Sequence, residues 1–196
     1  MLMPQLSWLV GVKRRTLKDK GYRRDPEEIY KMITEETWPY KTKKQFYHTR
    51  DQAFLSLLYL CCGRIGEVLN LKKNQFIEKK DFLLVHSYQV EKTNLFRDDW
   101  PLPKSGRLAP FTKIVQAYLP QVETELFRFK RQRGHWICKH ITKMWPHWFR
   151  AMGEAYYMQI IRDPFKFAVA LRLIEPKTLM EYIPFEWRDY KEQLLK

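Results

Sequence analysis

Cysteine is scarce here. Cys61 and Cys62 are adjacent within an apolar run and Cys138 stands alone, which excludes a disulfide framework and fits a reducing compartment. No apolar run reaches the roughly 20 residues that span a bilayer, and the N-terminus lacks a secretory cleavage pattern. The expectation is an intracellular protein without a membrane. Internal repeats and low-complexity segments are also missing. Cys138 has His135 and His140 nearby but no fourth ligand, so no zinc site is expected. Acidic residues are outnumbered, 22 against 36 Lys and Arg, and the net charge is +14. Such an excess calls for an anionic partner, nucleic acid ahead of a membrane surface. With 196 residues and 45% apolar content, the chain is long enough and greasy enough for one domain with a real core.

The most organised stretch is Arg50–Leu71, RDQAFLSLLYLCCGRIGEVLNL. Ala53, Phe54, Leu57, Leu58 and Cys61 form one wide apolar helical face, widened by Leu55 and Leu60, so this helix should be core. Thr49 and Gln52 read as its capping box. Gly63 is placed to end it in the left-handed conformation. Ile65, Val68 and Leu69 then continue at helical spacing, leaving Arg64 at the elbow. Upstream, residues 1–24 form a basic arm, and a first helix starts at Asp25-Pro26 with Ile29, Met32 and Ile33 as its stripe. Trp38–Tyr47 reads as a lysine-rich loop.

Downstream the period changes. Phe82, Leu84, His86, Tyr88 and Val90 alternate with Leu83, Val85, Ser87 and Gln89, which predicts one strand. Lys92–Asp99 reads as a polar turn. Trp100-Pro-Leu-Pro reads as a returning edge strand, because proline is excluded from central ones. Helical spacing resumes at Phe111, with Ile114, Val115 and Tyr118 on one face. Leu126–Arg133 (LFRFKRQR) reads as a helix with an apolar stripe and a basic exterior. Pro146 opens a long helix to Ile161, whose buried side is marked by Phe149, Met152, Tyr156 and Ile160. Pro164–Leu173 and Pro176–Ile183 follow as shorter helices, then a tail with Trp187, Tyr190 and Leu194 on one face.

His147 and Arg150 are three residues apart near a helix start, so they point the same way, outward from the Phe149 face and toward the helix end that favours anions. Four features come in order: the Arg64 elbow with Glu67 three residues on, Lys92 after a strand, the His-x-x-Arg pair, and Tyr182 on a short helix. Together they resemble the catalytic domain of the tyrosine recombinases, the phage-integrase family. The likeness covers about residues 25–183. It rests on RDQAFLSLLYLCCGRIGEVLNL for the first arginine motif, KTNLFRDDWPLPK for the lysine hairpin, PHWFRAMGEAYYMQI for the His-x-x-Arg helix and LRLIEPKTLMEY for the segment ending in the tyrosine.

The resemblance implies a mainly α fold with a small antiparallel sheet. It implies a site-specific DNA recombinase or integrase, of the kind that mobile or viral elements use. Tyr182 would attack a DNA phosphodiester and form a 3′-phosphotyrosyl link. Arg64 and Arg150 would hold the non-bridging oxygens, Lys92 would protonate the leaving 5′-oxygen, and His147 would assist. Glu67 would orient Arg64 through a salt bridge. No metal or cofactor is implied. The partners would be double-stranded DNA and further copies of the chain, a tetramer on DNA, with the 184–196 tail packing on a neighbour.

Two departures stand out. The family places a histidine or tryptophan nine residues before the tyrosine, where this chain has Leu173, flanked by Arg172. Family members also carry an N-terminal DNA-clamping domain, so a fragment or a minimal form is expected. Arg97 and Lys104 rival Lys92 as the acid, and Tyr156, Tyr157 and Tyr190 rival Tyr182. Phe127 and Phe129 are placed in the apolar stripe of their helix, ahead of stacking on nucleic acid. A non-catalytic DNA-binding relative and a type IB topoisomerase are the alternative readings.

Overall fold

The computed structural model describes residues 25–34, 45–91, 95–97, 99–161 and 163–171. The predicted basic arm 1–24, the 176–183 helix and the 184–196 tail lie outside the described residues. Seven helices and five short strands are described: α1 (Pro26–Thr34), α2 (Gln45–Leu60), α3 (Ile65–Leu69), β1 (Phe76–Glu78), β2 (Phe82–Val85), β3 (Tyr88–Gln89), β4 (Phe96–Arg97), β5 (Trp100–Pro103), α4 (Ala109–Tyr118), α5 (Arg131–Thr142), α6 (Pro146–Ile161) and α7 (Pro164–Ala170). The architecture is mainly helical with a small antiparallel sheet.

Helix α2 is the central post. From Asp51 to its end every residue except Gln52 is buried, and α1, α3, α4 and α6 pack around it. Each fully buried leucine or phenylalanine on it contributes roughly 1.5–3 kcal/mol. The helix begins at Gln45, four residues before Thr49, so the expected capping box falls inside it. Its C-terminus also differs from expectation. The left-handed residue is Cys62 (φ 47°), not Gly63. The Gly63 N–H bonds the Leu58 carbonyl at 3.3 Å and the Cys62 N–H bonds Tyr59 at 3.3 Å, the two bonds of a Schellman closure. Gly63 is required for space instead: a Cβ there would sit 2.1 Å from Tyr88 Oη and 2.7 Å from Val68 Cγ2.

The carbonyls at the end of α2 are satisfied from the sheet. Trp100 Nε1 donates to Leu60 O at 2.9 Å, and Arg97 Nη1 donates to Cys61 O at 2.6 Å. A buried cation at a helix C-terminus also meets the favourable end of its dipole. The sheet runs β1-β2-β5, all antiparallel, with Leu83 opposite Leu102 and Val85 opposite Trp100. The proline-bearing β5 lies at the edge, as expected. The single strand predicted over 82–90 is two strands. Ser87 takes φ 49°, which shifts the alternation by one residue, so Leu83 and Val85 but then Tyr88 and Val90 are buried. β3 and β4 form a separate hairpin with Tyr88 opposite Arg97.

Two helical expectations also change. Leu126–Lys130 is not helical; α5 begins at Arg131. Phe127 and Phe129 both pack edge-on to Phe54, each at 5.3 Å, within or against the core. Helix α6 has the predicted bounds but is buried almost all round from Trp148 to Ala155, while Ile160 is 58% exposed. It crosses α2 so closely that a Cβ on Gly153 would stand 2.2 Å from the Tyr59 carbonyl oxygen. No helix among the described residues is long and apolar enough to cross a membrane.

Candidate active site

Arg64 is the N-cap residue of α3, in extended conformation. Glu67, at the third position of that helix, turns back on it. The Arg64 N–H donates to Glu67 Oε2 at 2.8 Å, and Arg64 Nη1 reaches Glu67 Oε1 at 2.9 Å. The ion pair expected from the sequence is therefore present. The Glu67 side chain is fully enclosed, whereas that of Arg64 is 33% exposed. Arg64 Nη1 also touches the Glu91 carbonyl at 3.5 Å, and the Glu91 N–H donates to Glu67 Oε1 at 3.0 Å. The elbow is thereby tied to the base of the β3–β4 hairpin.

Two more arginines converge on the same carboxylate. Arg97 Nη2 lies 3.5 Å from Glu67 Oε2, and Arg150 Nη1 lies 3.8 Å from it. Arg97 is 1% exposed and faces the rings of Tyr88 (4.6 Å) and Trp100 (5.3 Å). Arg150, only 3% exposed, is not offered outward as its sequence position predicted; α6 is buried on that side too. Its Nη2 lies 2.8 Å from Glu154 Oε1, one helical turn on. Arg150 Nη1 is enclosed and has no hydrogen-bond acceptor among the described residues. Three arginines thus face two carboxylates, Glu67 and Glu154, a surplus of one positive charge when both are ionised.

The electrostatics follow from this crowding. Burial works to raise the Glu67 carboxyl, but Arg97, the Arg64 N–H, Arg150 and the Glu91 N–H outweigh it and hold it below the ordinary range. For Glu154 burial wins, pushing its carboxyl up against the pull of Arg150 and Arg97. Burial opposes the Arg150 charge, but Glu154 and Glu67 more than compensate and raise its pKa. Burial pushes the Cys61 thiol up to about 12 and Cys62 well up, so both stay protonated and unreactive.

Of the other residues singled out in the sequence, His147 is exposed in the first turn of α6, three residues before Arg150. Lys92, Arg172, Leu173 and Tyr182 lie outside the described residues. Of the rivals of Lys92, Arg97 directs Nη1 and Nη2 at the Cys61 and Cys62 carbonyls and at Glu67, and Lys104 pairs with Glu78. Of the rivals of Tyr182, Tyr157 has an enclosed hydroxyl whose pKa burial pushes up. Around His135, Cys138 and His140, Cys138 is buried and His140 stacks on Trp136 at 4.3 Å. Among the described residues, no group of three or more His, Cys, Asp or Glu side chains is placed to hold a metal.

Glu154 was not expected at this site, and Arg97 was considered only as a rival acid, not as a partner of Glu67. Glu154 carried a legible signal, an opposite charge four residues after Arg150 on a helix otherwise apolar; Arg97 carried none beyond its place in the hairpin.

No protein-family model matches the chain, and no curated protein matches it in sequence. Among solved structures it is similar to the XerH site-specific recombinase bound to difH substrate in a pre-cleavage complex. The TM-score is 0.63 at 14% identity, covering 86% of this chain and 51% of that one. It is also similar to XerH bound to palindromic difH in a post-cleavage complex, with TM-score 0.62, 15% identity and coverage of 86% and 50%. The chain spans about half the length of the structures it matches. What is shared is the fold, mostly helical with a small antiparallel sheet.

Proposed function

We propose that this chain is the catalytic domain of a site-specific DNA recombinase that cleaves and rejoins strands through Tyr182. The observation that supports it best is the convergence of Arg64 and Arg150, 86 residues apart in sequence, on one buried carboxylate. A buried charged donor left without an acceptor, as Arg150 Nη1 is, costs about 1–3 kcal/mol. Nη1 is enclosed among the described residues, so an anion removes that cost only where the site opens to admit it.

The scissile phosphate carries one negative charge and its pentacoordinate transition state carries two. Arg64 and Arg150 take the non-bridging oxygens, so the added charge is stabilised where it develops. Tyr182 Oη attacks phosphorus, the bond from phosphorus to the 5′-oxygen breaks, and Lys92 gives that oxygen its proton. His147 assists proton transfer. A free tyrosine has a pKa of about 10, so on the order of one in a thousand is ionised at neutral pH; the arginines offset this by favouring the phenolate. A 5′-hydroxyl from another strand then attacks the phosphotyrosyl link and restores the diester. Double-stranded DNA is the substrate, the protein acts as a tetramer on it, and the excess of basic residues binds its phosphates. Leu173, in place of the family's histidine or tryptophan, is the one feature that favours a non-catalytic relative.

The test is incubation with a pool of nicked duplexes randomised around the nick, followed by separation in denaturant. A covalent protein–DNA adduct that is lost in Arg64→Ala and Arg150→Ala is expected. Salt-sensitive binding with no adduct from any duplex would overturn the enzymatic reading. Relaxation of supercoiled DNA of any sequence would point to a topoisomerase instead.

A further inference from the structure

Glu67 cannot orient Arg150 by itself. Its Oε1 accepts from Arg64 Nη1 and the Glu91 N–H; its Oε2 accepts from the Arg64 N–H, with Tyr88 Oη at 3.4 Å and Arg97 Nη2 at 3.5 Å. Arg150 Nη1, at 3.8 Å, is beyond hydrogen-bond range of it. Glu154 is the opposite case. It is 1% exposed, its Oε1 lies 2.8 Å from Arg150 Nη2 in an ion pair that lacks hydrogen-bond alignment, and its Oε2 meets no donor among the described residues. A carboxylate is expensive to bury, and among the described residues this one has a single cationic partner in contact.

We propose that Glu154 is a positioning residue for Arg150. It fixes Nη2 one helical turn away and so leaves Nη1 as the donor for a non-bridging phosphate oxygen. The spacing of four residues on α6 makes the contact geometry a property of the helix, independent of the hairpin that carries Glu91. Glu67 and Glu154 thereby divide the work: the first gathers the arginines, the second aims one of them. The inference rests on the strand-cleavage reading above.

The test compares the full chain with Glu154→Ala and Glu154→Gln in single-turnover cleavage. Two nicked duplexes of one selected sequence are used, one with an ordinary scissile phosphate and one with a methylphosphonate there, which removes the non-bridging charge. On the ordinary duplex Glu154→Ala is expected to cleave roughly tenfold more slowly or worse at saturating DNA, with half-saturation unchanged within about twofold. The glutamine, which keeps an oxygen of the same reach beside Nη2, recovers at least about threefold of that loss and serves as the variant most sure to fold. On the methylphosphonate duplex the difference between wild type and Glu154→Ala shrinks below about threefold. Equal slowing on both duplexes, no slowing on the ordinary one, or no recovery with glutamine would overturn the positioning role. No adduct from wild type on either duplex would overturn the cleavage reading and this inference with it.

Discussion

Replacing Glu67 with alanine is expected to undo the centre of the molecule. The side chain is fully enclosed and serves two backbone N–H groups, Arg64 and Glu91, as well as Arg64 Nη1. Its removal leaves Arg97, 1% exposed, with no carboxylate within 4 Å among the described residues. Removing one partner of a buried pair costs about 3–5 kcal/mol. Each orphaned N–H adds about 1 kcal/mol, less where the terms overlap. Against a domain stability of roughly 5–15 kcal/mol, a loss near 5 kcal/mol leaves a marginal protein. Glu67→Gln loses less but still turns an amide donor toward a backbone donor. Urea unfolding followed by tryptophan fluorescence measures both. The pH dependence has a definite sign. The folded carboxyl lies below its usual 4.5, so its stabilisation is present above pH 4.5 and is lost as pH falls through the folded value. The penalty of Glu67→Ala should therefore be smaller at pH 3 than at pH 7. A penalty below about 1 kcal/mol at pH 7, or one that does not change with pH, would refute the role given to Glu67.

The two crowded glycines should differ in how much they tolerate. Gly63→Ala pushes against the buried end of Tyr88, held under Arg97, and should cost about 1–3 kcal/mol in urea unfolding. Gly153→Ala meets a backbone carbonyl of α2 that cannot turn aside, and should cost more than Gly63→Ala. Because burial raises the Glu154 carboxyl in the folded state, ionising it destabilises the fold as pH rises from 4.5 through the raised value; the stability of Glu154→Gln relative to wild type should grow over that window. DNA binding through about six phosphate contacts should weaken about a thousandfold between 50 and 200 mM salt, measured by fluorescence anisotropy.

Much of the fold was legible because it rests on periodicity. The apolar faces of α1 and α2, the bounds of α6 and the edge position of β5 all follow from spacing and from proline. The misses share a cause: local chemistry was overruled by contacts distant in sequence. Cys62, not Gly63, takes the left-handed conformation of the helix closure, and Gly63 is needed instead to make room for Tyr88, 25 residues later. The alternation over 82–90 hides a break at Ser87, where one residue of positive φ starts a second hairpin. At the site, Arg64 and Glu67 were readable as an i, i+3 pair. Arg150 was legible as a chemical group but not as a buried one, since helical spacing marks an apolar face without telling whether the polar face is covered as well. Arg97 was illegible as a partner of Glu67 because 30 residues and a hairpin separate them.

The central claim is that this arginine cluster serves a tyrosine that bonds to DNA. The most direct measurement is mass spectrometry of the denaturant-resistant adduct after protease and nuclease digestion, with Tyr182→Phe beside it. A nucleotide remnant on Tyr182, and no adduct from the phenylalanine variant, is the predicted result. An adduct that persists in Tyr182→Phe, or a remnant mapped to another residue, would contradict the assignment. No adduct from wild type on any nicked duplex would contradict the account itself.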